Sequence, residues 1–159
     1  MTSPLRLRAV DTIDLSVIAA HLQDAVAQVG DMAFQPRERR FAVMFNRFMW
    51  EDLEDDGSKG AKADKNAPYR RVRSVLHFDG VMNVKSQGLR LDRKEAVASI
   101  LTLAFEPKDD IAGTVTMTFA GGGAIKLEVE VLDAWLSDVS APWSTKNLPS
   151  HGEADEPLG

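Results

Sequence analysis

The sequence contains no cysteine, which excludes disulfide bonds, thiolate catalysis and thiolate metal ligands. Its three histidines, His21, His77 and His151, stand far apart, whereas a histidine metal site needs several ligands at close spacing. No stretch approaches the roughly 18 apolar residues that a membrane-spanning helix needs, and the first residues lack the apolar core of a signal peptide. These absences predict a cytoplasmic protein with no membrane contact, no metal and no cofactor.

Catalytic motifs are absent as well. No GxSxG elbow presents a serine nucleophile, and no glycine site is followed by the Lys and Ser or Thr of a phosphate loop. The acidic run EDLEDD at 51–56 lacks the spacing and the closing glutamate of an EF-hand. His77 and Asp79 share a strand face, and we interpret them as a surface pair. We therefore predict no catalytic residue.

Length and composition predict one domain. The 159 residues are 44% hydrophobic and 27% charged, which is usual for a chain that buries its own core. We place a single α+β domain at residues 1–146. Within it, the highly charged segment 51–66 has almost nothing apolar to bury and is predicted to be a mobile loop, and residues 147–159 are predicted to be a disordered acidic tail.

The strongest pattern in the chain is TVTMTFAGGGAIKLEVEVL, in which two alternating runs mirror each other around Gly121, Gly122 and Gly123. Because strand side chains alternate with a period of two, a loop formed by these glycines collects the apolar residues on one face. The predicted pairs are Phe119 opposite Ile125, Met117 opposite Leu127 and Val115 opposite Val129. The sequence therefore predicts a β-hairpin packed on a core.

The first half of the chain predicts a strand, a helix and a second hairpin. A strand from Leu5 to Ala9 precedes a helix that Asp11 caps and that runs to about Ala25. The hairpin extends from 29 to 48 around the turn PRER, in which Pro36 supplies the fixed φ of a type I turn. Its predicted pairs are Phe34 with Phe41 and Met32 with Val43.

The second half adds a third hairpin and two less regular segments. Residues 69–78 and 82–87 are predicted to pair through Gly80, with Phe78 opposite Met82 and Leu76 opposite Val84. Segment 92–106 fits both a helix and a strand, and we interpret 99–106 as a strand. Residues 132–139 are predicted to be a short helix that buries Leu132, Trp135 and Leu136.

These elements predict an α+β fold: a strongly bent, mostly antiparallel sheet or partly open barrel built from hairpins, with an N-terminal helix and a short C-terminal helix. Leu15, Ile18 and Leu22 of the first helix are expected to cover one opening. Seven strands from Val29 followed by a terminal helix also resemble the pleckstrin-homology-like superfold, an analogy of strand count alone.

The blocks LRLRAVDTIDLSVIAAHLQDAV, GDMAFQPRERRFAVMFNRFMWE, RVRSVLHFDGVMNVKSQG and TFAGGGAIKLEVEVLDAWLSD resemble a family of short alphaproteobacterial proteins known as domain of unknown function 2948. The resemblance covers nearly the whole chain apart from 51–66 and the tail, and PRERRF and FAGGGAI are its most specific parts. It implies no activity, cofactor or catalytic residue.

Charge is unevenly distributed along the chain, whose net charge is -5. Residues 31–50 hold four arginines against two acids, and 67–94 hold seven basic residues against two acids. Arginine suits bidentate contact with anions, and aromatic rings stack on bases or guanidinium planes. The predicted binding residues are Arg37, Arg39, Arg40, Arg47, Arg70, Arg71, Arg73, Trp50 and Tyr69. The competing interpretation is a solvated surface whose charges prevent strand aggregation.

We therefore predict a non-enzymatic binding or interaction module that meets an unknown protein or anionic ligand through a basic hairpin surface. Nucleic acid is disfavoured but left open, because general nucleic-acid binders are more often basic throughout. The alternative is a small enzyme whose site assembles from residues distant in sequence. The sequence does not determine the oligomeric state.

Overall fold

A computed structural model describes residues 4–52 and 69–145. Apart from Glu51 and Asp52, the predicted loop at 51–66 and the predicted tail at 147–159 lie outside these residues. The elements, in chain order, are β1 (Arg6–Ala9), α1 (Thr12–His21), β2 (Val26–Gln28), a 3-10 helix (Val29–Asp31), β3 (Met32–Gln35), β4 (Arg40–Phe48), β5 (Tyr69–Asp79), β6 (Val81–Gln87), β7 (Val97–Pro107), β8 (Gly113–Phe119), β9 (Ala124–Val129), β10 (Ala134–Asp138) and β11 (Trp143–Thr145).

The strands form one sheet in the order β1-β10-β5-β4-β2-β7-β8-β9-β6, with β3 paired to β4 and β11 paired to β5. Every pairing between these strands is antiparallel. The two halves of the sheet meet at β2, where Val26 pairs with Asn46 of β4 and with Ser99 of β7. The prediction of a mostly antiparallel sheet is confirmed; the sheet is not closed, and the fold is mostly β with a helix.

Helix α1 packs into the core between the two halves of the sheet. Leu15, Ile18 and Leu22, predicted to face the sheet, are buried there. Asp11 is the N-cap, because its Oδ1 accepts a hydrogen bond of 2.8 Å from the Asp14 N–H. The helix ends earlier than predicted, since the chain turns at Asp24, whose φ is 62°. No helix of the described ranges is long and apolar enough to cross a membrane.

The glycine hairpin forms as β8 and β9, with the predicted faces but a different register. All six residues predicted to share the apolar face are buried, yet Met117 pairs with Ile125 and Val115 with Leu127. The loop therefore consists of residues 120–122. Gly121 and Gly122 adopt φ of 91° and 101°, whereas a Cβ on Gly123 would lie 2.7 Å from the Leu89 side chain. Gly123 lies just after the loop, where it packs against Leu89, and the shift of two residues from the predicted register preserves the faces.

Two further predictions are confirmed. In the hairpin of β3 and β4, Phe34 pairs with Phe41 and Met32 with Val43, and residues 36–39 form the turn. The ambiguous segment 92–106 contains the strand β7, which pairs with β8 through Leu103 and Met117. The strand interpretation of 99–106 is therefore correct.

The predicted third hairpin is wrong. β5 and β6 are consecutive but do not pair: β5 lies between β4 and β10, and β6 pairs with β9. Gly80, at φ 75°, sends the chain from one half of the sheet to the other. Val81 N–H then donates to the Arg39 carbonyl, and Glu130 N–H donates to the Gly80 carbonyl. With both edges of β5 already occupied, Met82 and Val84 cannot pair with it.

The predicted C-terminal helix is also wrong, because residues 134–138 form β10 between β1 and β5. Both neighbours need a hydrogen-bonding partner, and β10 supplies its two edges to them. Ala134 and Leu136 are buried, while Trp135 alternates to the opposite side. Without a terminal helix, the likeness to the pleckstrin-homology-like superfold is not confirmed.

Candidate anion-binding face

The side of β1, β10, β5 and β4 that points away from the core forms a continuous surface, which we call the outer face. On β5, Val72, Ser74, Leu76 and Phe78 are buried, so the residues between them point outward. The same alternation on the neighbouring strands follows from the registers. The outer face carries Arg6, Arg8, Trp135, Ser137, Tyr69, Arg71, Arg73, Val75, His77, Asp79, Arg40, Ala42, Met44 and Asn46. Trp143 of β11, which pairs with Arg71, lies on the same side and belongs to it.

The register places the arginines of β1 beside Trp135. Arg8 pairs with Trp135, which pairs in turn with His77. The guanidinium carbons of Arg6 and Arg8 lie 5.2 and 5.0 Å from the centroid of the Trp135 ring. On the other neighbouring strand, the His77 ring is nearly parallel to the indole, at 13° and a centroid distance of 6.3 Å. Two cations and two planar rings therefore form one cluster.

A second cluster lies further along β5, where β11 joins it. Trp143 pairs with Arg71, and the Arg73 guanidinium carbon is 5.8 Å from the Trp143 ring centroid. Arg73 Nε also donates to Asn46 Oδ1 at 3.3 Å, and Arg71 Nη1 donates to the Asn46 carbonyl at 3.4 Å. Trp143 remains 37% exposed. Rings and arginines are thus held together at two places on the same face.

Positive charge exceeds negative charge on the outer face. Arg8 Nε pairs with Asp133 Oδ1 at 3.0 Å, and Arg40 Nε pairs with Asp79 Oδ1 at 2.8 Å. Within the described ranges, Arg6 and Arg73 make no ion pair with a carboxylate, so the formal charges of these two arginines are uncompensated.

Burial, followed by the nearby Arg40 cation, lowers the pKa of His77 from its usual value of 6.5. His77 is consequently neutral at pH 7 and adds an uncharged ring rather than a cation. The ring can therefore stack against Trp135 without repelling the neighbouring guanidinium groups.

The structure brings only part of the predicted binding set together. Arg40, Arg71 and Arg73 lie on the outer face, and Tyr69 begins the same row of β5. Trp50 instead packs at the end of this row: its ring meets Phe48 edge-on at 4.6 Å, and its Nε1 donates to the Gln23 carbonyl at 3.0 Å. Tyr69 contacts the same Phe48 ring at 5.7 Å. These contacts indicate that Trp50 covers the buried Phe48.

Arg47 is not on the outer face. Its side chain is completely buried, where Nη1 and Nη2 donate to the two Glu51 carboxylate oxygens at 2.9 and 2.8 Å. Nε and Nη2 donate to Asp138 Oδ1 and Oδ2 at 3.1 and 3.2 Å, and Nε also donates to Ser74 Oγ. Asp138 accepts from the Leu5 N–H as well. This cluster ties β4, β5, β10 and the residue before β1 together.

The two carboxylates of this cluster are held in their charged form. Burial by itself raises the pKa of Asp138, but hydrogen bonds from Arg47, Ser74 and the Leu5 N–H outweigh it and lower the pKa below its usual range. Burial likewise raises the pKa of Glu51, and the hydrogen bond with Arg47 outweighs it, so this pKa is also lowered. The arrangement stabilises the fold and offers no accessible donor to a ligand.

The remaining arginines of the predicted set lie apart from the outer face. Arg70 makes two hydrogen bonds of 3.0 Å to Asp52. Arg39, in the turn before β4, reaches Glu130 at 3.4 Å on the other half of the sheet, and Arg37 is exposed in the same turn. The predicted set therefore divides into an outer-face group, the buried Arg47, the turn arginines Arg37 and Arg39, and two residues that pack elsewhere, Trp50 and Arg70.

Sequence reasoning missed Arg6, Arg8, Trp135 and Trp143 as site residues. The assignment of 132–139 to a helix placed Trp135 in the core, and β1 had no assigned partner. The sequence AWLSD gives no decisive signal by itself, because Ala134, Trp135 and Leu136 are all apolar. Reading it as a strand would have turned Trp135 outward.

Metal chemistry finds no support in the described part of the chain, where no group of three or more His, Cys, Asp and Glu side chains could hold an ion. The comparisons with known proteins add no activity: no curated protein and no solved structure matches the chain. A family profile matches residues 5–151, which include every residue of the outer face and of the Arg47 cluster. The chain therefore belongs to the family described as "Protein of unknown function (DUF2948)".

Proposed function

We propose that this protein is a non-enzymatic binding module that holds an anionic partner on its outer face. One observation carries the proposal: all three contacts between an arginine and a tryptophan ring in the described ranges lie on this face. Two of the three arginines, Arg6 and Arg73, have no carboxylate partner there. The face thus combines uncompensated cations with rings that hold them.

The guanidinium groups are ordered and still have donors to offer. Arg8 and Arg40 each use one N–H, that of Nε, on an aspartate, although a guanidinium has five N–H donors. A ring beneath Arg6 or Arg73 restricts a long side chain before any ligand arrives, so less conformational entropy is lost on binding. These features favour contact with carboxylate or phosphate oxygens.

The competing interpretation is protective charge, since exposed strands carry charged residues that prevent aggregation. Protection needs charge alone and does not need tryptophan rings on the exposed side of the sheet. Trp143, which remains 37% exposed beside Arg73, is an unfavourable residue to expose without a partner. The pairing of rings with cations therefore favours binding over protection.

The proposal is tested with the full chain and two polyanions, polyglutamate and single-stranded oligothymidylate, each labelled and titrated separately. We expect at least one to bind, and we expect Arg6→Gln with Arg73→Gln to weaken that binding at least about fivefold through loss of charged hydrogen bonds. Lys126→Gln is the matched control, because Lys126 is exposed on β9, far from the outer face in strand order. Failure of both probes to bind, or equal losses in the control, would overturn the proposal.

Further predictions from the sequence stay proposals: a single domain over residues 1–146, a mobile loop at 51–66 beyond the hydrogen-bonded residues Glu51 and Asp52, an alphaproteobacterial source and a cytoplasmic location. The absence of cysteine supports the cytoplasmic location, because proteins of a reducing compartment are rarely stabilised by disulfides. Fractionation of native cells with an antibody against the chain tests the location.

A further inference from the structure

Resting on the proposed function, we infer that the anionic partner of the outer face is a single-stranded nucleic acid. Planar side chains and guanidinium groups alternate on this face: Tyr69, Trp143, His77 and Trp135 lie among the arginines of β1 and β5. A single strand offers two groups that such a surface can bind: its phosphates contact the guanidinium groups, and its unpaired bases stack on the rings.

The dimensions of the face indicate an extended ligand. The outward row of β5 runs from Tyr69 to Asp79, which spans about 33 Å at the usual rise per residue. Arg6 and Arg73 are two strands apart and two residues apart along the strands, or about 12 Å between Cα atoms. A single phosphate ion contacts one of the two clusters, whereas a chain of phosphates reaches both.

The rings distinguish a nucleic acid from an acidic peptide. Aspartate and glutamate side chains use the guanidinium groups but have no π surface for Trp143 or for the parallel pair of His77 and Trp135. Every base has such a surface, and base stacking on an aromatic side chain contributes to binding without sequence preference. Few aliphatic side chains are accessible on the face: Ala42, Met44 and Val75 are each half-buried. The face therefore offers no hydrophobic groove to a peptide.

The rings also distinguish single strands from duplexes. Bases in a duplex are stacked on each other and cannot also stack on Trp143, whereas single strands leave them free. The net charge of -5 does not contradict the inference, since the two uncompensated cations lie together on one face. Negative charge elsewhere repels the same ligand and leaves the outer face as the surface of approach.

Salt dependence gives a quantitative expectation. Each phosphate neutralised in a single strand contributes about -0.7 to the slope of log K against log salt concentration. With Arg6 and Arg73 as the uncompensated cations, we expect a slope of about -1.4. The change Arg73→Gln should bring it to about -0.7.

The experiment titrates the full chain with labelled oligothymidylate, followed by competition with polyglutamate of equal charge and with a duplex of equal length. Trp143→Leu keeps apolar bulk but removes the ring, and Trp143→Phe keeps a ring. We expect Trp143→Leu to weaken oligothymidylate binding at least about fivefold and polyglutamate binding clearly less, because polyglutamate loses only the ordering of Arg73 whereas the oligonucleotide also loses base stacking. Trp143→Phe should restore most of the affinity for oligothymidylate. Trp50→Phe, which alters a tryptophan outside the face, is the control.

The outcomes separate this inference from the proposed function. If polyglutamate competes as well as oligothymidylate and Trp143→Leu affects both equally, the outer face binds anions but the nucleic-acid inference is overturned. Equal competition by the duplex overturns it as well. If no polyanion binds, both proposals are overturned together. Variants are compared only after their thermal unfolding midpoints agree with that of the parent protein.

Discussion

Replacing Arg47 by methionine is expected to destabilise the fold severely. The guanidinium is completely buried and donates to both Glu51 and Asp138, which bring two negative charges against one positive charge. Methionine fills a similar space but leaves Asp138, whose side chain is 4% exposed, without its counterion. Glu51 is 24% exposed and can turn toward water, so most of the loss comes from Asp138.

The expected loss is about 3–5 kcal/mol, the usual result of removing one partner from a buried ion pair. Asp138 still accepts from Ser74 Oγ at 2.6 Å and from the Leu5 N–H at 2.9 Å, so the loss is not larger. Small domains are stable by about 5–15 kcal/mol, and the variant therefore loses a large share of its stability. With an m-value of about 2 kcal/mol/M, the urea midpoint should fall by about 2 M.

Urea unfolding at pH 7, followed by circular dichroism, measures this change. The matched control is Arg70→Met, since Arg70 also makes a two-bonded pair, with Asp52, but both side chains are about one-third exposed. Exposed pairs contribute about 0–1 kcal/mol, so the control should lose little stability. Adding Asp138→Asn to Arg47→Met removes the buried charge and should recover part of the loss.

The pH dependence supplies a second readout. Because the pKa values of Glu51 and Asp138 are lowered in the folded protein, their stabilising contribution is complete above the unfolded values of about 4 and is lost as the pH falls through the folded values. Without the guanidinium, the Asp138 pKa should be higher than in the parent protein, because the largest hydrogen-bond contribution that lowers it is lost, and the variant should bind that proton at higher pH. The stability difference should therefore narrow toward pH 4. A loss within about 1 kcal/mol at pH 7, equal to that of the control, would refute this reasoning.

Three further substitutions test the fold. Phe119→Asp places a charge in a fully buried position and should abolish the cooperative thermal transition, so an unchanged melting midpoint would contradict the assigned facing. Asp11→Ala removes the N-cap hydrogen bond to the Asp14 N–H and should lower the free energy of unfolding by about 1 kcal/mol, as measured by urea unfolding. Gly113→Ala puts a Cβ 2.5 Å from the Glu106 carbonyl oxygen and should cost about 1–3 kcal/mol, measured in the same way; no loss would show that β7 and β8 can separate there.

Local patterns predicted which side chains are buried better than which strands are neighbours. The alternation in β8 and β9 placed Phe119, Met117 and Leu127 on the buried face, because that face depends only on the period of two. A register shift of two residues leaves every face unchanged, so alternation could not distinguish the predicted pairs from the observed ones. The Leu89 side chain, against which Gly123 packs, is distant in sequence.

The same limit explains the site. Arg47 follows Phe41, Val43 and Phe45 at every second position of β4, so its inward direction was available from the sequence. Its partner Asp138 is 91 residues away and was not available. The outer face was missed because β10 depends on neighbours at both ends of the chain, and an apolar-rich pentapeptide such as AWLSD has no decisive period of its own.

The position of β10 also affects how the protein is made. The Leu5 N–H bonds Asp138 across 133 residues, so β1 has no strand partner until most of the chain has left the ribosome. Long-range pairing of this kind slows folding, since a large loop must close before its contacts form. Arg6 and Arg8 therefore meet Trp135 only at a late step of synthesis, and a nascent chain arrested before that point would have no completed ligand surface.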